Sequence, residues 1–229
     1  MVNSWELDLK IKDESFIAGL DEVGRGPFAG PVVAACSYLE FNKPLKPFLK
    51  KIAKLGITDS KKLSSKKREE IINYFGTKGC ELKINSVYEL MAEDGFKLKL
   101  AIKKLSHKEI DKINILQASM KAMSQAFNQC WNKDHMGILG IDGNKIPRGI
   151  NKRLKSEALI KGDSRSLLIG LASIFAKEYR DHLMKKFDRK YPQYGFKSNA
   201  GYGTKFHRDA IKKYGLCPIH RKSFKIVGK

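Results

Sequence analysis

Apolar residues open the chain in two short runs, Ile17-Ala18-Gly19-Leu20 and Val32-Val33-Ala34-Ala35-Cys36, separated by acids, glycines, an arginine and two prolines. Runs of that length with such an interruption predict two strands joined by a tight loop. The period then changes. Thr58 to Ser64 leads into a capped helix that begins at Ser65 and stops at Gly76, and Leu82 and Ile84 alternate within residues 80–87, which predicts a strand. Ser106-His107-Lys108-Glu109 has the form of a capping box for a long helix. Its Ile113, Leu116, Met120, Met123, Phe127 and Cys130 recur at steps of three or four and form a core face. Residues 136–142 predict a short strand ending on Asp142-Gly143, and residues 157–161 another. Leu168, Leu171, Phe175, Tyr179 and Leu183 keep helical spacing to just before Pro192, and a short helix follows over 207–214. Between these last helices, glycines and basic residues interleave with Tyr191, Tyr194, Phe196 and Tyr202, as in a surface that stacks on sugars or bases or in a set of hydrophobic plugs.

The 229 residues, 42% of them hydrophobic, suffice for one well-buried domain with an appendage, set at 1–190 and 191–229. Charge narrows the partner. Forty-five Lys and Arg against 24 Asp and Glu give +21, which favours a polyanion. The longest apolar run, from Leu167 to Ala176, is too short to span a bilayer, and residues 1–16 alternate charges where a signal segment would be apolar. Cys36, Cys80, Cys130 and Cys217 are dispersed without a C-x-x-C pair and read as reduced thiols, so a cytoplasmic protein is expected.

Candidate chemistry lies in the acids. Asp21 and Glu22 close the first strand, where adjacent side chains point to opposite faces; serving one site would need the strand to twist or break, which Gly24 and Gly26 permit. Asp142 ends a strand, although Asp-Gly is also a common turn. Asp163 precedes a helix, where it equally fits an N-cap. The stretch from Gly24 to Ala29 formally fits G-x-G-x-x-G/A, but a strand rather than a helix follows it, so a dinucleotide loop is set aside. The entrance to the helix at Ser65 gathers hydroxyls, lysines and backbone N–H groups that suit either a phosphate or solvent. A basic chain that gathers acids at one rim points to a bound divalent ion.

Six motifs in order make the chain resemble the ribonuclease HII family, type 2 ribonuclease H. They are Gly19-Leu20-Asp21-Glu22-Val23-Gly24-Arg25-Gly26-Pro27 with Ala29-Gly30-Pro31-Val32; Asp59-Ser60-Lys61-Lys62-Leu63; Asn114-Ile115-Leu116-Gln117-Ala118; and Ile141-Asp142-Gly143-Asn144. The fifth is Lys161-Gly162-Asp163-Ser164 with Ala172-Ser173-Ile174, Ala176-Lys177 and Arg180-Asp181, and the sixth Gly201-Tyr202-Gly203-Thr204 with His207. With nothing substantial ahead of the first strand, type HII is expected over the longer type HIII. Leu168-Ile169-Gly170-Leu171 departs from the smaller residues usual in the family, and residues 144–161 make a longer link between the last two acids.

The resemblance implies an α/β fold, a ribonuclease H-like mixed sheet flanked by helices, with a small helical C-terminal portion. It implies that Asp21, Glu22, Asp142 and Asp163 bind Mg²⁺ or Mn²⁺ and form the catalytic site. Gly24, Arg25 and Gly26 would sense a ribose 2′-hydroxyl, Tyr202 would stack on the sugar at an RNA-to-DNA junction, and Lys61 and Lys62 would hold flanking phosphates. The implied activity is metal-dependent endonucleolytic hydrolysis on the 5′ side of ribonucleotides, in RNA–DNA hybrids or singly embedded in duplex DNA, leaving 3′-hydroxyl and 5′-phosphate ends. A monomer is expected. No clear partner motif is visible at the C-terminus, and a sliding-clamp partner is left open. The +21 charge alone supports a non-catalytic nucleic-acid-binding module equally well.

Overall fold

The computed structural model describes residues 14–79, 81–93 and 95–225. Cys80 and residues 1–13 lie outside the described residues, and most of the expectation that the charged opening is no signal segment falls there. The two opening apolar runs form an antiparallel hairpin, β1 (Phe16–Val23) and β2 (Val32–Phe41). Beyond it come β3 (Val87–Glu93), β4 (Phe96–Leu105), β5 (Gly137–Asp142) and β6 (Lys155–Leu159), giving one mixed sheet in the order β3-β4-β2-β1-β5-β6. The pairs β1–β5 and β5–β6 are parallel and bring the carboxyl ends of β1 and β5 side by side.

Alternation along the central strands splits the core between the two faces. Ile17, Val33, Ala35 and Leu39 meet α1 (Leu45–Ala53), α2 (Ser65–Tyr74) and the long α5 (Leu167–Lys190). Phe16, Ala18, Leu20, Val32 and Cys36 meet α3 (His107–Ile113) and α4 (Ile115–Cys130) on the other side. After α5, the four-residue α6 (Phe196–Asn199), α7 (Lys205–Tyr214) and a final loop close a satellite core. There Tyr194, Phe196, Ile211 and Ile219 pack with Met184 and reach the hairpin loop at Ala29. Cys36, Cys130 and Cys217 are free and buried, in line with reduced thiols. Among the described residues, no helix is long and apolar enough to cross a membrane.

Several expectations need correction. The strand predicted over 80–87 begins only at Val87: Leu82 is buried because it plugs the core from a turn, which imitates strand alternation. β4, whose Phe96-Lys97-Leu98-Lys99-Leu100 alternates openly, and α1 had no sequence-based prediction. The single helix predicted after the capping box is two, because Asn114, at φ 61° and ψ 166°, ends α3 and its side chain caps α4 by accepting from the Gln117 N–H at 3.0 Å.

Candidate active site

β1 runs unbroken through Asp21 and Glu22 in regular register with β2, so the strand does not break at this pair. The strand's parity sends Asp21 toward α5 and Glu22 toward the α4 face, and the Glu22 N–H donates to Asp21 Oδ1 at 2.7 Å. What unites them is the next strand. Leu20 pairs with Ile141 in parallel register, which sets Asp142 beside Asp21, and the charge of Asp142 acts on both acids of β1. The Gly162 N–H donates to Asp142 Oδ1 at 2.7 Å. Asp163 lies in a single 3-10 turn, Gly162–Ser164, and is not the N-cap of α5: Ser166 is, its Oγ accepting from the Ile169 N–H at 3.3 Å. The bond from Gly162 to Asp142 therefore brings Asp163, the next residue, up to that acid.

The electrostatics show how closely the four carboxylates interact. Burial raises the Asp21 carboxyl well above the usual range, and Asp142 and Glu22 add to the rise against hydrogen bonds from Ser173 and the Glu22 amide. Glu22 is raised by burial while Arg25, with Nη1 at 3.3 Å from its Oε1, opposes. Burial also raises Asp142, against the amides of Gly162 and Asp163. Asp163 is pushed up to about 6 by burial first, then by Asp142 and Asp59. Crowded carboxylates that resist ionisation mark a place where positive charge is needed. Among the described residues, no three acidic, histidine or cysteine side chains already converge closely enough to enclose an ion. The fit to a metal is one of donor chemistry and charge: all-oxygen donors at one rim suit a hard divalent cation.

Of the two predicted lysines, Lys61 is the one that faces the acids, since its charge acts on Glu22, Asp142 and Asp163. Lys62 is exposed on the same turn, which Asp59 shapes by accepting from the Lys61 N–H at 2.9 Å. From beneath, Arg68 holds this turn by donating to the carbonyls of Ser60 at 3.1 Å and Leu63 at 2.7 Å, and it pairs with Glu178 of α5 at 2.6 Å. The N-terminus of α2, a candidate phosphate cradle, is capped by Ser64, whose Oγ accepts from the Lys67 N–H at 3.1 Å.

Across the cleft, the Gly24-Arg25-Gly26 loop meets the C-terminal segment. Tyr202 is 44% exposed, and a methyl group on Gly26 would lie 3.4 Å from its ring. Its carbonyl is joined to His207 Nδ1 at 2.9 Å.

Sequence reasoning assigned no role to three groups that belong to this neighbourhood. Asp59 presses on Asp142 and Asp163; Ser173 bridges Asp21 and Ser60, with 2.8 Å between the hydroxyl oxygens; and Arg221 lies beneath the glycine loop. Asp59 and Ser173 stood inside recognised motifs, which was the available signal. Arg221 had none.

The chain's relatives agree with one another. A family model described as Ribonuclease HII matches residues 18–227. The ribonuclease HII of Clostridioides difficile (strain 630) is 42% identical over 223 residues, 97% of this chain and 75% of that protein. That of Francisella tularensis subsp. tularensis (strain SCHU S4 / Schu 4) is 42% identical over 211 residues, 92% of this chain and 96% of the relative. Among solved structures, the ribonuclease H2 from Pyrococcus horikoshii OT3 superposes with a TM-score of 0.67 at 22% identity, covering 92% of this chain and 94% of that one. The ribonuclease HII from Archaeoglobus fulgidus, solved in complex with PCNA, gives 0.65 at 22% identity, covering 93% and 97%. At that identity the structures establish a shared ribonuclease H fold.

Proposed function

The chain belongs to the ribonuclease HII family and is an endoribonuclease, and on that premise we propose that it hydrolyses the phosphodiester on the 5′ side of ribonucleotides in duplexes. Its substrates are RNA–DNA hybrids and DNA duplexes with a single embedded ribonucleotide, and the products carry 3′-hydroxyl and 5′-phosphate ends. The observation that carries this reading is the pairing of two features on one cleft. Four carboxylates, with Asp142 acting on the other three, stand at the ends of β1 and β5 and before α5, and the arginine of a glycine–arginine–glycine loop beside an exposed Tyr202 pairs with Glu22.

Asp21, Glu22, Asp142 and Asp163 would hold Mg²⁺ or Mn²⁺. Ions held there would supply a lowered pKa for an attacking water and positive charge against the phosphate oxygens. The chain's own residues supply the rest. Ser173 and the Glu22 amide fix the Asp21 carboxylate, and the Gly162 amide fixes Asp142, so that neither acid has to reorganise as substrate arrives. Lys61 and Lys62 bind flanking phosphates, and Tyr202 stacks on the sugar at the RNA-to-DNA junction. Gly24, Arg25 and Gly26 lie along the ribose. Residues 1–190 act as the catalytic unit and 191–229 complete the substrate cleft in a cytoplasmic monomer.

The test is cleavage of an end-labelled DNA duplex carrying one ribonucleotide, in Mg²⁺, Mn²⁺ or chelator, beside an all-DNA duplex and the Asp21→Asn variant. Metal-dependent cutting on the 5′ side of the ribonucleotide, lost in the variant, is the expected result. Binding without cutting in either metal would leave a binding module; cutting of the all-DNA duplex would leave a broader nuclease.

A further inference from the structure

The loop between β1 and β2 is held by two arginines from distant parts of the chain. Arg221 is 0% exposed, and its fork is turned on main-chain oxygens: Nη2 donates to the Gly24 carbonyl at 2.5 Å, Nη1 to Arg25 at 2.8 Å and Nε to Gly30 at 2.9 Å. Arg180 of α5 donates to the carbonyls of Pro31 at 3.1 Å, Ala29 at 3.2 Å and Ala200 at 2.9 Å. Among the described residues, neither guanidinium contacts a carboxylate oxygen. Burial pulls Arg221 down to about 9, with the charge of Arg180 adding to the fall. Sinking a cation without a counter-ion costs on the order of several kcal/mol, and apolar packing would secure a loop at less cost. What the planar fork adds is direction, because it fixes which way each peptide faces.

That direction has a consequence on the other side of the chain. In a trans peptide, a carbonyl and the following N–H point opposite ways, and there is no cis bond among the described residues. With the Gly24 and Arg25 carbonyls drawn inward onto Arg221, the N–H groups of Arg25 and Gly26 are turned outward. Both residues are exposed, and among the described residues neither amide donates to a protein acceptor. Gly24 makes the turn at φ +92°, where any Cβ would fall 2.3 Å from Arg180 Nε. The cation also polarises the two peptides it binds, which strengthens the donors on their far ends.

We propose that Arg221 is the positioning residue for ribose recognition: it holds the carbonyls of Gly24 and Arg25 so that the Arg25 and Gly26 amides face the 2′-hydroxyl, and thereby sets the preference for ribose without touching the substrate. This rests on the reading of Gly24, Arg25 and Gly26 as the sugar-contacting loop. The main chain of the same segment docks independently of the side chain. The Arg221 N–H donates to the Phe28 carbonyl at 2.8 Å, and the Gly30 N–H donates to the Ile219 carbonyl at 2.9 Å. Those bonds remain when the side chain is changed, so the loop stays attached but loses its orientation.

The experiment compares affinities for a duplex with one ribonucleotide and for the same all-DNA duplex, by competition on a single preparation. The protein carries Asp163→Asn to suppress cutting, with Arg221 intact, Arg221→Lys or Arg221→Met. The ratio of the two affinities does not change with the fraction of protein folded. It is expected to fall about tenfold in both variants, with all-DNA affinity held within about twofold. A ratio kept in both overturns the role of Arg221. A ratio near one with Arg221 intact overturns the sugar-sensing loop itself. A second measurement needs no substitution at Arg221: the Arg25 and Gly26 amide resonances are expected to shift with the ribonucleotide duplex and not with the all-DNA duplex, and unmoved resonances overturn the proposal.

Discussion

Asp163 shows what a residue contributes that its sequence context hides. Its carboxyl is pushed up to about 6, whereas an unfolded aspartate titrates near 3.9. Between those values the folded chain keeps a proton that the unfolded chain has released, so stability falls as pH rises through this window, and the deficit is complete above it. Asp163→Asn is therefore expected to stabilise the fold near pH 7.5 in chelator by roughly 1 kcal/mol after allowance for solvent screening, seen as a higher Tm, and to give no gain near pH 4. Cleavage by the same variant should drop on the order of a thousandfold, about 4 kcal/mol of barrier. Thermal melts across pH check the first part; a lower Tm at the higher pH would contradict the repulsion. Divalent ion is expected to raise Tm in the unsubstituted protein and much less in the variant, because it stabilises only a folded state able to bind it. From the sequence, Asp163 fitted a helix cap as well as a catalytic acid, and the choice came from the company of motifs. Asp59 and Arg221 were less legible still, since closeness to Asp163 or to the Gly24 carbonyl arises from packing between segments far apart in the chain.

At the level of elements, the site depends on how α5 lies on β1. A Cβ on Gly19 would come 2.2 Å from the main chain of Leu168 and Ile169, so the first turn of the helix rests directly on the strand backbone. The Ser37 hydroxyl on β2 ties down that turn by donating to the Leu168 carbonyl at 2.5 Å. This contact fixes the separation of Asp21, two residues along β1, from Asp163, just before α5. Gly19→Ala is expected to force the two apart, at about 3 kcal/mol in urea unfolding, and to lower the single-turnover rate more than duplex affinity. Unchanged stability would show that the approach is looser than it stands. The long helical periods of α4 and α5 were legible because a core face repeats over many turns. The break at Asn114 was not, because it depends on one residue adopting a backbone conformation that side chains rarely tolerate.

For the whole molecule, a charge of +21 and a carboxylate cluster have opposite effects on a polyanion, and range decides between them. Within a few ångströms the acids repel phosphate, and Lys61 and Arg25 face them. Farther out, up to a Debye length of about 8 Å, the more numerous surrounding cations dominate capture, and beyond it salt screens both. Each phosphate neutralised contributes about −0.9 to the slope of log affinity against log salt on duplex DNA. Cleavage at sub-saturating substrate is therefore expected to fall with salt at a slope steeper than about −3, while kcat at saturation changes little. Replacing Lys61 and Lys62 with alanine should make that slope shallower by about one for each phosphate no longer neutralised. The two lysines need not contribute equally, because Lys61 also faces the carboxylates. Lys61→Ala alone should lower kcat as well as capture, whereas Lys62→Ala should act on capture only. A flat salt response would mean that the excess charge serves something other than substrate capture, and equal effects of both lysines on kcat would remove the distinction between them.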